Sequence, residues 1–212
     1  QSYTLKNNRT PASAVVRAAL FNSADDVGAL GPDYNSGYGM ANAFRAVQTI
    51  QDNRIIEGIV NNQEQRTHLI QIPVGAKNLK VTLCWTDPAA AANAFKAIVN
   101  DLDISVQHVS TAQVWQPWVL SSFPHTDSLR KPAVRKKDAL NTNEQITIDE
   151  PAAGAYEIRI HGFSVTSLTQ SYAIAWQYDT VDAFLFSYPV QGDLLDPERK
   201  NTIRWEGTVT DT

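Results

Sequence analysis

The period of the apolar residues changes once along this chain, near residue 54, and that change constrains the fold more than any other feature. Before it, Val15, Val16, Ala18, Ala19 and Leu20 supply an apolar helical stripe, and Ala43, Phe44, Val47 and Ile50 share one helix face. After it, Leu79, Val81, Leu83 and Trp85 alternate with Lys80, Thr82, Cys84 and Thr86. Period two belongs to a strand with one buried face. The same alternation recurs at Leu102, Ile104 and Val106, at Tyr156, Ile158 and Ile160, and at Tyr172, Ile174, Trp176 and Tyr178. Weaker strand signals lie near 55–60, 67–72, 114–120 and 145–148. About eight strands with irregular turns predict a mainly β fold, an antiparallel jelly-roll sandwich preceded by two short helices.

The helices have their own punctuation. Thr10-Pro11 pairs an N-cap hydroxyl with a proline at the first helical position, so the first helix is expected over 11–23. A loop marked by Gly28, Gly31-Pro32, Asn35, Gly37 and Gly39 separates it from a second helix at about 40–51. Beyond Asp179 the pattern restarts: Phe184-Leu185-Phe186 and Thr202–Trp205 read as two strands joined by a turn-rich stretch. Three segments follow: helices at 1–53, the jelly roll at 54–179, and at 180–212 the start of a further immunoglobulin- or fibronectin-like sandwich or a linker.

Charge and composition exclude some functions. A formal net charge of −4 argues against nucleic acid as a partner. The one basic group, Arg130, Lys131, Arg135, Lys136 and Lys137, is interrupted by Pro132 and reads as a solvated loop. No window reaches the ~18–20 apolar residues that span a bilayer. Cys84 is the single cysteine, so no intrachain disulfide forms; on the polar parity of its strand it reads as an inert thiol.

Catalytic motifs are not found. There is no G-x-S-x-G or G-T-S nucleophile signature, and His68, His108, His125 and His161 read as structural. The catalytic residues expected within this chain are therefore none. Oxygen ligands are better represented. Asp87 ends a strand in WTDP, Asp101 and Asp103 lie in VNDLD, and Asp138 opens DALNTNE. Carboxylates on loops at strand ends suit calcium, which takes six to eight oxygens; the competing reading is that they tie turns through backbone N–H groups. Asp87, Asp101, Asp103 and Asp138 are the candidate ligands of a structural calcium. Trp115 and Trp118 are a candidate platform for sugar or peptide, set against ordinary packing.

The stretch TPASAVVRAALFNSADDVG followed by GPDYNSGYGMANAFRAV resembles the end of a subtilisin-like serine protease catalytic domain. Asn22-Ser23-Ala24-Asp25 stands where that family has its "NTA-D" turn, and Gly37–Ala43 where a glycine-rich turn opens the closing helix. LKVTLCWTDP, VNDLDI, NEQITI and PAAGAYEIRI look like the P-domain-like jelly roll that follows the catalytic domain in secreted bacterial members. The resemblance implies a secreted or cell-surface serine endopeptidase as parent, its Asp-His-Ser residues upstream of Gln1, and this chain as a non-catalytic fragment that stabilises the catalytic domain or helps engage protein substrates. It also implies calcium in some jelly rolls. The alternative is a protein- or carbohydrate-binding adhesion module.

Overall fold

The computed structural model describes residues 1–180, 184–190 and 192–207. Helices α1 (Ser2–Asn7), α2 (Ser13–Ser23) and α3 (Ala43–Gln51) come first. The strands then run β1 (Ile55–Val60), β2 (Gln65–Ile72), β3 (Ala76–Trp85), β4 (Asp101–His108), β5 (Val114–Trp115) and β6 (Trp118–Val119). After the one-turn helix α4 (Thr126–Leu129) come β7 (Val134–Arg135), β8 (Asn143–Ile148), β9 (Gly154–Ser164) and β10 (Gln170–Thr180). A separate ladder pairs β11 (Phe184–Tyr188) with β12 (Arg204–Gly207). Of the 180–212 segment, residues 181–183, 191 and 208–212 lie outside the described residues.

Two four-stranded sheets, ordered β1-β10-β3-β8 and β2-β9-β4-β5, are antiparallel throughout. Counted along the chain without the small β6–β7 pair, these orders become 1-8-3-6 and 2-7-4-5, the strand interleaving of a jelly roll. The alternating residues explain why the sheets face each other. Leu79, Val81, Leu83 and Trp85 are fully buried and join Leu102, Ile104, Val106, Ile158 and Ile160 in one core. Burial stabilises each by about 1.5–3 kcal/mol, and a one-residue slip would turn a whole row to the wrong face. The register is fixed by that penalty.

The outer face of the first sheet departs from the alternation. Thr82 and Cys84, on the expected solvent side, are both fully buried. Helix α2 lies over them: Ala14, Val15 and Ala18 pack with Cys84, Ala173 and Ala175, with Phe21, Ile50 and Ile55 at the margin. Small residues on both surfaces let helix and sheet approach closely. Burial pushes the Cys84 thiol up to about 12, with Arg17 opposing the shift. Arg17 is the basic neighbour that sequence spacing concealed; its guanidinium donates to the Trp85 carbonyl. The thiol is inert through burial beneath a helix.

Several boundaries move. Helix α2 starts at Ser13, with Ala12 as an N-cap that makes no side-chain bond. The Ala12 carbonyl accepts from Val15 and Val16, and the Ser13 hydroxyl pairs with Thr86 at 2.7 Å. The sheet therefore sets this helix start, leaving Thr10-Pro11 ahead of it. Helix α3 begins at Ala43, because Asn42 is its cap. The expected strand at 114–120 splits around Pro117, which has no N–H for a ladder: β5 pairs with β4 and β6 with β7. Helix α1 sits in the polar opening stretch, held by buried Tyr3, whose hydroxyl donates to Glu57.

Candidate functional site

The glycine-rich turn before α3 is a latch. Asp25 and Met40 exchange backbone hydrogen bonds of 2.9 and 2.8 Å. A Cβ on Gly39 would stand 2.1 Å from the Asp25 carbonyl oxygen, and the Gly39 φ of +107° independently favours glycine. The Asn42 side chain then does two jobs: its Oδ1 accepts from Arg45 N at 3.0 Å, and its Nδ2 donates to Asp25 Oδ2 at 3.0 Å. Arg45 reaches on to Asp179 at 2.9 Å, fastening α3 to the end of β10. Ser36 belongs to this turn as well, its hydroxyl donating to Asp33 Oδ1 at 2.9 Å.

The histidines are committed to local structure. His68 Nε2 is 2.8 Å from the Tyr172 hydroxyl. His108 packs edge-on against Tyr156, its Nδ1 accepting from Thr111 N. His125 accepts from Asp127 N at the start of α4. His161 lies 3.7 Å from Asp103. Among the described residues, no histidine pairs with a serine, threonine or cysteine side chain.

WTDP and VNDLD prove to be two halves of one lock. Asp87 accepts from Val99 N at 2.6 Å and Asn100 N at 2.8 Å, closing the long loop between β3 and β4. The Trp85 indole donates to the Asn100 carbonyl at 2.9 Å. Asn100, fully buried, accepts from Thr166 N at 2.8 Å through Oδ1 and donates to Ser167 Oγ and Gln170 Oε1, both at 2.7 Å, through Nδ2. A buried amide with every atom engaged joins the ends of β3, β4, β9 and β10. Sequence reading placed Asp87 among ligands; the structure spends both its oxygens on backbone N–H groups.

Beyond the lock, Asp101, Asp103, Asp138 and Glu144 draw together. Glu144 is 1% exposed on β8; its Oε2 accepts from Ile104 N of β4 at 3.0 Å, so it spans the two sheets. Asp138, 3% exposed, accepts from Leu140 N at 2.9 Å and from Asn141 Nδ2 at 2.6 Å. Asp103 takes Lys137 Nζ at 2.7 Å. Burial pushes the Glu144 carboxyl well above the usual carboxylate range; the Ile104 N–H opposes this, and Asp138, Asp103 and Asp101 raise it further. Burial raises Asp101 too, followed by the charge of Asp103, while Lys96 counteracts. Two buried oxygens here, Asp101 Oδ1 and Glu144 Oε1, have no hydrogen-bond partner. Among the described residues, no three His, Cys, Asp or Glu side chains gather into a ready metal-holding group. The geometry thus separates the four expected ligands: Asp87 stands in the lock, while Asp101, Asp103 and Asp138 lie near enough for their charges to act on Glu144. Sequence reading grouped Glu144 with Asp138 but did not select it; its inward parity with Ile146 and Ile148 was the available signal.

The two tryptophans form no open platform. Trp115 packs against the core and Tyr156. Trp118 donates to Thr147 Oγ1 at 2.9 Å, and the Arg135 guanidinium lies 4.0 Å over its ring.

No protein-family profile matches the chain. Over 176 residues, 77% of its length, it is 23% identical to the Serine protease/ABC transporter B family protein tagA of Dictyostelium discoideum. The chain spans 10% of that relative's length. Among solved structures, the pre-peptidase C-terminal domain of collagenase from Bacillus anthracis overlays with a TM-score of 0.33 at 9% identity, over 58% of this chain and 87% of that one. Tripeptidyl peptidase 2 overlays with a TM-score of 0.31 at 12% identity, over 64% of this chain and 10% of that one. No helix among the described residues is long and apolar enough to cross a membrane.

Proposed function

We propose that this chain is a non-catalytic accessory part of an exported subtilisin-like serine endopeptidase, and that its jelly roll slows unfolding of the catalytic domain. The observation that carries the reading is the docking of α2 on the sandwich. The helix that resembles the end of a catalytic domain buries Ala14, Val15 and Ala18 on Cys84, Ala173 and Ala175 of the sheet. Any opening of that helix must therefore also expose the sheet. In a protease-rich medium the rate of opening decides survival, because an opened chain is cut. The partial sequence match to a relative named as a serine protease supports the same parentage.

The experiment is deletion of residues 54–180 from the full-length gene product, with the half-life of activity measured at elevated temperature. The reading expects that half-life to shorten at least about tenfold, the equivalent of 1.4 kcal/mol in the barrier; an unchanged half-life ends it. Fluorophosphonate should label the full-length protein and leave the 212-residue chain unlabelled. Retention of the chain on insoluble protein or polysaccharide would instead favour the adhesion alternative.

A further inference from the structure

The loop that Asp87 closes is loosely held beyond its base. Residues 91–97 are exposed throughout, and the Phe95 side chain is fully exposed. Among the described residues, the only backbone hydrogen bond within 88–98 runs from Ala94 N to the Ala91 carbonyl at 3.1 Å. A protease must draw the chain into its cleft in extended form, so it cuts where the backbone is free to follow. The other exposed aromatic side chains among the described residues are guarded. Phe123 precedes Pro124, whose ring obstructs attack on the bond between them. Tyr34 sits in a turn where Asp33 Oδ1 accepts from Asn35 N and Ser36 N, both at 2.7 Å. Phe163 belongs to β9, and Phe184, Phe186 and Trp205 to the β11–β12 ladder.

A cut in this loop would leave β1, β2 and β3 on one piece and β4 to β10 on the other. Strands β1 and β3 pair with β10, β3 also pairs with β8, and β2 pairs with β9. Among the described residues, every ladder of the first piece is therefore made with the second. The lock spans the same gap, since Asp87 accepts from Val99 N and Asn100 N, and the Trp85 indole donates to the Asn100 carbonyl. We propose that the Phe95–Lys96 bond is a processing site for an endopeptidase that takes an aromatic side chain ahead of the cut, and that the two pieces remain one folded body. Water adds across the amide, leaving a carboxylate on Phe95 and an ammonium on Lys96. Both residues are exposed, so neither new charge is buried. The folded state keeps its contacts, but the tether that brings the pieces together is gone, and refolding becomes a bimolecular event. The nick turns a reversible fold into one that is lost for good on dilution. This inference stands independently of the protease reading.

The test uses the 212-residue chain and a trace of chymotrypsin without denaturant. The first cut within 54–180 should fall after Phe95, read by mass spectrometry as a new end at that residue. The pieces should co-elute with the intact chain on gel filtration and part only in urea. The thermal midpoint of the nicked protein should rise with protein concentration, and that of the intact chain should not. Lys96→Pro sets a proline after the bond, outside any ladder, and should abolish this cut. Elastase, which takes small side chains, should still open that variant within the alanine-rich stretch 89–94. The proposal is overturned if either enzyme first cuts the sandwich elsewhere, or if Lys96→Pro is cut after Phe95 as fast as the unsubstituted chain. Separation of the pieces without denaturant would overturn it too.

Discussion

Asp87 and Glu144 are both carboxylates at strand ends on the same side of the sandwich, and they are held in opposite ways. Asp87 gives each oxygen to a backbone N–H and fixes a loop. Glu144 gives one oxygen to Ile104 and leaves the other buried without a partner. The difference teaches that an acidic residue near a strand end has no single meaning. What decides its role is the supply of N–H donors around it. A loop that doubles back, as 86–100 does, supplies them; a seam between two sheets does not, because its N–H groups are largely taken by ladders.

The strongest way to break this contrast is through the lock itself. Asn100→Ala removes partners from Thr166 N and Gln170 inside a dry site, and should cost about 3 kcal/mol or more in urea unfolding. A loss below about 0.5 kcal/mol would mean the lock holds nothing. The same isosteric change made on both carboxylates sharpens the comparison. Asp87→Asn swaps one acceptor for a donor facing an N–H, and should destabilise by about 1–2 kcal/mol. Glu144→Gln removes a buried ionisable group but keeps the Ile104 acceptor, and should stabilise by about 1 kcal/mol. Shifts of like sign in the two variants would erase the distinction drawn between them.

The smallest effect concerns an intermediate case, His68. Burial lowers its pKa, followed by the Arg66 charge, and its ring partner is the neutral Tyr172 hydroxyl. The folded protein therefore binds this proton less readily than the unfolded chain. Stability from this site is fully present above the ordinary histidine value of about 6.5 and is lost as pH falls from there through the lower folded value. Thermal midpoints at pH 7.5 and pH 5 should diverge less in His68→Gln than in the unsubstituted protein. An identical pH dependence in both would show that this imidazole binds its proton equally well in the folded and unfolded chain.

The inner core was legible in the sequence because period two admits one geometry: Leu79, Val81, Leu83 and Trp85 could face only one way. The outer face of the same strand misled, since Thr82 and Cys84 look solvated until α2 lies on them. That contact joins residues about sixty positions apart, and no local pattern encodes it. Helix α1 escaped notice because it rests on tertiary contacts of Tyr3 rather than on an apolar stripe. At the acidic group, Asp101 and Asp138 were recognisable as oxygen donors. Which carboxylates would be spent on N–H groups depended on loop paths that spacing does not specify.

The close seating of α2 also sets where this protein can be cut and rejoined. The change of period near residue 54 looks like a natural seam, and a chimera joined there would pair the sandwich with another protein's helices. Yet Ala18 is fully buried in the cluster it forms with Cys84, Ala173 and Ala175, so a foreign helix bearing a larger residue there would overpack the contact. Recombination between related chains should therefore succeed when the crossover precedes α2 and fail when it falls between α3 and β1. The unit of inheritance is the helix pair together with its sheet.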